Sequence, residues 1–222
     1  MCGRYTLTKS GEAIARTFGL QSTPTPTPRY NIAPTQPVSA ITEESGQREY
    51  RIFQWGLVPS WAKDPGIGSR MINARSETAA EKPSFRAAFK RRRCLVVADG
   101  FYEWKRAGAK KQPYYMQMSD RTLFGMAGLW EAWESGDGSY LESCTILTTV
   151  PNDLMRSIHN RMPVILHPQD YDQWLAPGEQ PREPLQQLLR PYDAEAMAAH
   201  PVSTTVNNPR HETAACVEPI EG

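Results

Sequence analysis

Several short segments of the chain alternate apolar and polar residues with a period of two, which is the pattern of half-buried β-strands. Segments 37–42 and 50–55 are joined by a polar stretch at 43–48 and predict a β-hairpin. Later segments give a comparable strand signal at 95–98, 114–118, 122–126, 129–133 and 143–150. We therefore expect a core built on an antiparallel sheet of about eight strands.

The helical segments are few and short. Ser10 is placed to cap a helix over residues 11–18, and Gly19 is typical of a residue that ends one. Further short helices are predicted at 85–89, 151–158, 171–175 and 184–190. The pattern favours a single α+β domain over residues 1–222, with a core at about 2–208 and a tail at 209–222 that carries no interpretable signal.

Composition narrows the class of protein. A chain of 222 residues with 40% hydrophobic residues can bury one sizeable core, and 19 prolines disfavour a bundle of long helices. The net charge of +1 does not by itself indicate a polyanionic partner, so contact with a nucleic acid must come from local clusters of basic residues. The densest cluster, 90–93, is either a solvated surface or a phosphate contact.

No apolar stretch has the length of a membrane span or of a signal peptide, so we expect a cytoplasmic protein without a membrane partner. The four cysteines stand at positions 2, 94, 144 and 216, without a CxxC pair or the spacing of a zinc site. Cys94 and Cys144 lie in apolar runs and are expected to be buried, inert thiols. We predict no metal and no cofactor.

The remaining chemistry starts at the N-terminus, Met1-Cys2-Gly3-Arg4. Removal of Met1 would leave an α-amine and a thiol on adjacent carbons of Cys2. Such a pair condenses with an aldehyde to an imine, which the thiol closes to a five-membered thiazolidine. The second attack is intramolecular and therefore fast, and an α-amine of pKa about 7.7–8.0 is neutral far more often than a lysine. The alternative is an ordinary residue of a loose terminus, but the strand-like segment 5–8 argues against that.

Two other segments carry polar side chains in a suggestive order. Asn73, Arg75 and Glu77 would point to one side of an extended chain, which is either a site or a solvated edge. Glu103 shares a strand face with Phe101, and an apolar setting would raise the pKa of its carboxyl and suit a general acid or base. An exposed glutamate is the competing interpretation.

Aromatic residues and one histidine complete the candidates. Trp55 is expected in the core, whereas Trp61, between polar and turn residues, is either a core residue or an exposed platform on which an unpaired base stacks. His159 follows the predicted helix 151–158 and is either structural or catalytic.

Taken together, six motifs in the same order over most of the chain resemble the SOS response-associated peptidase (SRAP) family. They are MCGRY at 1–5, YNIAP at 30–34, WGLVPSW at 55–61, INARSET at 72–78, ADGFYEW at 98–104 and IHNRMP at 158–163. The resemblance implies a single α+β domain with a barrel-like antiparallel core flanked by short helices. It also implies a positively charged groove for single-stranded DNA, in which the N-terminal cysteine captures the aldehyde of a ring-opened abasic sugar as a slowly reversible thiazolidine.

The family pattern also assigns roles to positions of this chain. It places the catalytic residues at Cys2, Asn73, Glu103 and His159. Residues that bind DNA would be Arg4, Arg75 and Arg161, which grip the phosphates beside the lesion, and Trp61, which covers the neighbouring base. The implied protein is a DNA-associated monomer with a cross-linking, lyase-like activity, and its partner is single-stranded DNA with abasic sites. The sequence does not identify which protein partners it has at replication forks.

Two other classes of function stay open at this point. An arrangement of Cys2, His159 and Glu103 would also serve an N-terminal-nucleophile peptidase that removes its own Met1, although no sequence feature indicates an oxyanion hole for general proteolysis. A module that binds single strands without covalent chemistry would need neither Cys2 nor Glu103.

Overall fold

A computed structural model describes residues 2–108 and 110–220, without the side chains of Ala107 and Lys110. Within these residues it contains thirteen β-strands and six α-helices. The strands are β1 (Arg4–Leu7), β2 (Arg29–Ile32), β3 (Pro37–Glu44), β4 (Gln47–Trp55), β5 (Asn73–Arg75), β6 (Arg93–Ala98), β7 (Gly100–Ala107), β8 (Lys110–Met118), β9 (Phe124–Glu134), β10 (Tyr140–Thr149), β11 (Met162–Pro163), β12 (Ile165–Leu166) and β13 (Met197–Pro201).

The helices are short, as predicted. They are α1 (Gly11–Phe18), α2 (Ser76–Ala79), α3 (Arg86–Arg91), α4 (Asp153–Arg156), α5 (Tyr171–Leu175) and α6 (Arg182–Leu188). In α1 the side chain of Ser10 accepts the N–H of Ala13, and Gly19 ends the helix in the left-handed conformation with φ 66°. The predicted start and end of this helix are confirmed.

The core is a closed barrel. Strands β4, β3, β6, β9 and β10 pair in that order, and β10 returns to β4 to close the circle. All these pairings are antiparallel except the closing one, in which Cys144 of β10 lies beside Trp55 of β4 in parallel register. The short strand β5 continues the parallel pairing along β10 from Ile146, which faces Asn73. The barrel-like α+β fold is thus confirmed.

A second sheet, in the order β13-β8-β7-β1-β2, lies beside the barrel. Only Asp99 separates β6 of the barrel from β7 of this sheet. In β1, Arg4 pairs with Tyr102 and Thr6 pairs with Gly100, so the N-terminal strand lies directly against β7. This pairing fixes the backbone that leads to Cys2.

Three expectations about strands are corrected. Segments 122–126 and 129–133 are one continuous strand, β9, and not two strands of a meander. Gly128 suggests a break in the sequence, but a Cβ at this position would lie 2.8 Å from Cys94 Sγ, so packing requires the glycine. The single antiparallel sheet of about eight strands is instead two sheets with two parallel pairings. Residue 77 is not part of an extended segment, because β5 ends at Arg75 and α2 follows.

The basic run 90–93 is bound to the fold. Lys90 and Arg91 both pair with Glu179, and Arg92 pairs with Glu131 at 2.7 Å. Arg93 is buried and donates to four backbone carbonyls, those of Phe89, Trp174, Ala176 and Gly178. Each side chain of the run has an internal acceptor, but Lys90 and Arg91 share one carboxylate and are more than half exposed, so contact of these two with a phosphate stays a prediction.

The C-terminal segment 209–220 packs as part of the domain. Glu212 accepts from Arg29 and from the backbone N–H of Tyr30. Cys216 is buried in a small cluster with Tyr102 and Tyr115. Cys94 and Cys144 are buried free thiols, as predicted. No helix in the described part of the chain combines the length and the apolar content needed to cross a bilayer.

Candidate functional site

Cys2 is held inside the protein. Its side chain is fully buried, and its carbonyl oxygen accepts a hydrogen bond of 2.8 Å from Asn73 Nδ2. Burial, and after it the charge of Glu103, raises the pKa of the Cys2 thiol well above its usual value. The thiol is therefore protonated near neutral pH, and its reaction as a nucleophile requires a base nearby.

Glu103 lies in the middle of β7 and is almost completely buried, with 2% of its surface exposed. This burial decides for the apolar setting over the exposed glutamate, the two interpretations that the sequence left open, and it raises the pKa of the carboxyl above its usual range. A carboxyl that keeps its proton closer to neutral pH is suited to general acid–base chemistry.

His159 lies in the loop between α4 and β11, because α4 ends at Arg156 and not at the predicted residue 158. Its Nδ1 is 3.9 Å from Glu103 Oε1 and accepts the backbone N–H of Arg161 at 3.1 Å. The ring is about one quarter exposed, so it connects the buried carboxyl with the surface. Both side chains line one open cavity of about 510 Å³.

Asn73 completes the group from the barrel side. Strand β5 places it opposite Ile146 of β10, and its amide nitrogen reaches the carbonyl of Cys2. Its Oδ1 is buried and has no hydrogen-bond partner among the described residues. Buried acceptors are nearly always satisfied, so Asn73 Oδ1 fits a donor supplied by a substrate or a free amine. The structure therefore links the predicted catalytic residues in two contacts, Cys2 with Asn73 and Glu103 with His159, and the charge of Glu103 acts on Cys2.

Two of the three predicted phosphate ligands have internal partners. Arg4 donates to Asn31 Oδ1 at 2.9 Å and to the carbonyl of Val206 at 2.7 Å. Arg161 forms a bidentate ion pair with Glu77 at 2.6 and 2.9 Å and also donates to the carbonyl of Thr148. A phosphate would have to share or replace these acceptors, and phosphate contact by Arg4 and Arg161 stays a prediction.

The other two predicted DNA ligands are open to solvent. Arg75 is exposed and forms no ion pair with a described residue, although it lies two positions after Asn73. Trp61 is 59% exposed, whereas Trp55 is fully buried, as predicted. An exposed cation and an exposed aromatic ring are the two elements of a surface for single strands.

Two buried polar residues support the site and received no role from the sequence. Asn31 is fully buried, and its amide nitrogen donates to the carbonyls of Val206, Asn208 and His211, while its oxygen holds Arg4. Asp99 accepts from the hydroxyls of Thr6 and Thr8 and, at 2.7 Å, from the N–H of Thr8. Both lie within motifs of the sequence, YNIAP and ADGFYEW, and these motifs are the only signal that could have revealed them.

We expect Asp99→Ala to destabilise the fold by about 2–4 kcal/mol, because it removes three hydrogen bonds to a buried carboxylate, two of them from Thr8. The Thr6 hydroxyl keeps its contacts with the carbonyl of Gly100 and with Tyr115. Urea unfolding measures the change. The matched control is Asp120→Asn, an exposed aspartate that binds only the local turn at Thr122. Equal midpoints for the two variants would show that Asp99 does not anchor β1.

Comparison with known proteins identifies the family. The family model of SOS response associated peptidase (SRAP) matches residues 1–209. The chain belongs to this family. Within it, the chain is 44% identical over 222 residues to the abasic site processing protein YoqW of Bacillus subtilis strain 168, with 98% of this chain and 99% of that protein covered.

More distant relatives and solved structures are also similar to this chain. The abasic site processing protein HMCES of Xenopus tropicalis is 37% identical over 200 residues, which are 80% of this chain and 59% of that protein. A crystal structure of a protein from Bacteroides thetaiotaomicron is similar with a TM-score of 0.89 and 29% identity, and it covers 99% of this chain and 100% of that one. A second, from Bordetella bronchiseptica, has a TM-score of 0.79 at 29% identity and covers 91% of this chain and 100% of that one.

Proposed function

We propose that this SRAP protein processes abasic sites in DNA, as the names of its relatives state for them, and that it does so by covalent capture through Cys2. The observation that carries the proposal is the burial of Cys2 beside Asn73 and within the field of Glu103, in a chain whose family includes abasic site processing proteins. An inert terminal cysteine would need none of these contacts.

The first step exposes and binds the aldehyde. An abasic sugar is mostly a closed hemiacetal, and a proton delivered to the ring oxygen opens it. Glu103 and His159 line the same cavity, and the raised pKa of Glu103 suits it to this proton transfer. The α-amine of Cys2, free after loss of Met1, then attacks the aldehyde carbon, and one water leaves as the imine forms. The unsatisfied Asn73 Oδ1 is an acceptor for the amine or a sugar hydroxyl.

The second step closes the ring. The sulfur of Cys2 forms a bond to the imine carbon, the C=N π pair moves to nitrogen, and the thiol proton finally resides on that nitrogen. Because the pKa of the thiol is raised, a neighbouring base must accept its proton during the attack. Glu103 and His159 serve as that relay, and the same groups return the proton when the adduct reverses.

The required loss of Met1 concerns a residue outside the described part of the chain. Either an aminopeptidase or the Cys2 site itself would satisfy the requirement, so autoprocessing is an accessory reaction within this proposal. Lyase activity belongs to the same chemistry, because an imine that stays open acidifies the C2′ protons of the sugar and favours β-elimination.

The substrate form that the site favours is a single strand. The exposed Trp61 offers a stacking face that a base in a duplex cannot reach, and stacking on an aromatic ring contributes about 1–3 kcal/mol per base. Arg75 lies beside Asn73 and forms no salt bridge with a described acid, although Glu77, which Arg161 holds, also interacts with its charge. Arg4 and Arg161 reach phosphates only if these compete with Val206 and Glu77.

Arg75→Ala is expected to weaken single-strand binding and to reduce the slope of log affinity against log salt by about one phosphate contact. A salt titration with a strand that carries a non-reactive abasic analogue measures both quantities. Arg16→Ala, which removes an exposed and unpaired charge from α1, is the matched control. An unchanged affinity and slope would assign Arg75 a structural role.

The proposed function is tested on a denaturing gel. The protein is incubated with a strand that contains an abasic site and then heated in SDS. A heat-stable adduct is expected with the natural abasic site and not with an analogue that lacks the aldehyde. Equal adduct with both strands would contradict reaction at the aldehyde, and no adduct with either would contradict covalent capture.

A further inference from the structure

The hairpin of β7 and β8 carries a second cluster of positive charge. Lys105 and Arg106 follow Glu103 on β7, and Lys111 lies on β8. None of the three forms an ion pair with a described residue. In the run 90–93 every cation has an internal acceptor, whereas these three cations have no acidic partner among the described residues.

The register of the hairpin places two of these like charges opposite each other, which destabilises the hairpin. Arg106 is the direct cross-strand partner of Lys111. Like charges directly opposite each other on a sheet destabilise the pair. An anion bound between the two side chains would remove the repulsion. Binding of an anion would therefore explain why two like charges lie opposite each other.

The cluster is continuous with the candidate catalytic residues. Arg106 and Lys111 line the cavity of about 510 Å³ that contains Glu103 and His159. An adjoining cavity of about 460 Å³ is lined by Lys105, Arg106 and again His159. Arg106 therefore belongs to both cavities, which form one path that leads away from His159 along the hairpin.

Trp104 lies between the two cavities and is held in place. Its Nε1 donates to Asn207 Oδ1 at 2.8 Å, and the ring is only partly buried. A fixed, partly exposed indole beside these cations is suited to a chain that presents phosphates and flat bases in alternation. Two connected cavities fit an extended ligand of this kind better than a small anion, which would fill only part of one.

We propose that Lys105, Arg106 and Lys111 form a phosphate-binding arm for the strand on one side of the captured nucleotide. The inference rests on the proposed function, and it adds a residue set outside Arg4, Arg75, Arg161 and Trp61. The ligand is the phosphodiester backbone of a nucleic acid strand. Its phosphates occupy the space between Arg106 and Lys111 and beside Lys105, while Trp104 contacts a base.

The test uses a double variant, R106S together with K111S, of the full chain. Two DNA strands each carry a non-reactive abasic analogue. One strand extends from the analogue only on its 5′ side, and the other only on its 3′ side. If Lys105, Arg106 and Lys111 bind the backbone on one side of the captured nucleotide, the double variant should lose at least about tenfold in affinity for one of the two strands. The salt slope for that strand should fall by about two, and binding of the other strand should not change. The matched control, R16S with R121N, removes two exposed charges elsewhere, and asparagine suits the φ of 57° at Arg121.

Equal losses on both strands, or losses no larger than those of the control, would overturn the inference. Displacement of the strand by polyglutamate as effectively as by a nucleic acid would also overturn it, because the surface would then fit an acidic peptide. The melting temperature of the double variant should equal or exceed that of the parent, since a repulsive pair is removed; a lower value would contradict the repulsion argument. Heat-stable adduct formation by the parent is scored separately, so failure of the proposed function is distinguished from failure of the arm.

Discussion

Replacing Cys2 with serine is expected to convert a heat-stable cross-link into a labile one. The α-amine is kept, so an imine with the abasic aldehyde still forms. A hydroxyl is a far weaker nucleophile than a thiol near neutral pH, so ring closure is disfavoured. The adduct of Cys2→Ser should therefore disappear on heating in SDS and persist only after reduction with borohydride.

The open imine has a further consequence. It acidifies the C2′ protons of the sugar, and Glu103 or His159 lies close enough to the cavity to accept one of them. Strand cleavage by β-elimination should therefore increase in Cys2→Ser.

A time course on a denaturing gel, with and without borohydride, measures the stability of the adduct and the cleavage together. Cys216→Ser is the matched control, because it also replaces a buried thiol, in a cluster of its own around Tyr102. A heat-stable adduct of Cys2→Ser in the amount formed by the parent would rule out the thiazolidine and require another nucleophile.

Glu103→Gln is expected to slow the formation and the reversal of the adduct together, each by about 100-fold or more. The amide keeps the shape of the side chain but transfers no proton, and a general acid–base group serves both directions of one step. Formation is followed by gel shift, and reversal by transfer of the protein to an excess of a second abasic strand. Glu131→Gln, which changes another buried carboxylate, is the control and should leave both rates unchanged. A variant that slows only one direction would contradict the assignment.

The pH dependence provides an independent check of Glu103. Burial raises the pKa of its carboxyl, so the folded protein binds this proton more tightly than the unfolded chain. The stabilising contribution is fully present below the unfolded pKa of about 4.3 and is lost as the pH rises through the raised folded pKa. Urea unfolding of the parent should show this loss, and Glu103→Gln should remove it. Identical pH profiles of parent and variant would show that Glu103 titrates normally.

Local features of the fold were predictable because their causes lie close together in the sequence. Ser10 and Gly19 delimit α1 through hydrogen bonds and a backbone conformation that single residues determine. The burial of Trp55 was expected from the sequence, whereas the alternation in β7 left Glu103 either in an apolar setting or exposed, and the fold decides for the first. Cys2 became a candidate because an N-terminal cysteine has a reactivity that an internal cysteine lacks, and its catalytic role stays a prediction.

Features that depend on distant partners were not predictable. The parallel pairing of β10 with β4 closes the barrel between segments about ninety residues apart, and no local pattern encodes it. A glycine such as Gly128 is typical of a strand end, and only the fold shows that Cys94 packs against it. The ion pair of Arg161 with Glu77 and the anchoring of Arg4 by Asn31 likewise require the folded chain. The motifs therefore revealed Arg4 and Arg161 as candidates, but they did not reveal the residues with which these arginines pair.

The central claim is that the α-amine and the thiol of Cys2 both bond to the abasic carbon, and mass spectrometry of the purified adduct tests it most directly. The account predicts a protein that lacks Met1, joined to the strand with the loss of one water, and a proteolytic map in which the only modified peptide begins at Cys2. The mapped peptide should resist borohydride, because a thiazolidine contains no C=N bond. Retention of Met1 in the adduct, or a sugar attached to a lysine or to an internal cysteine, would contradict the account.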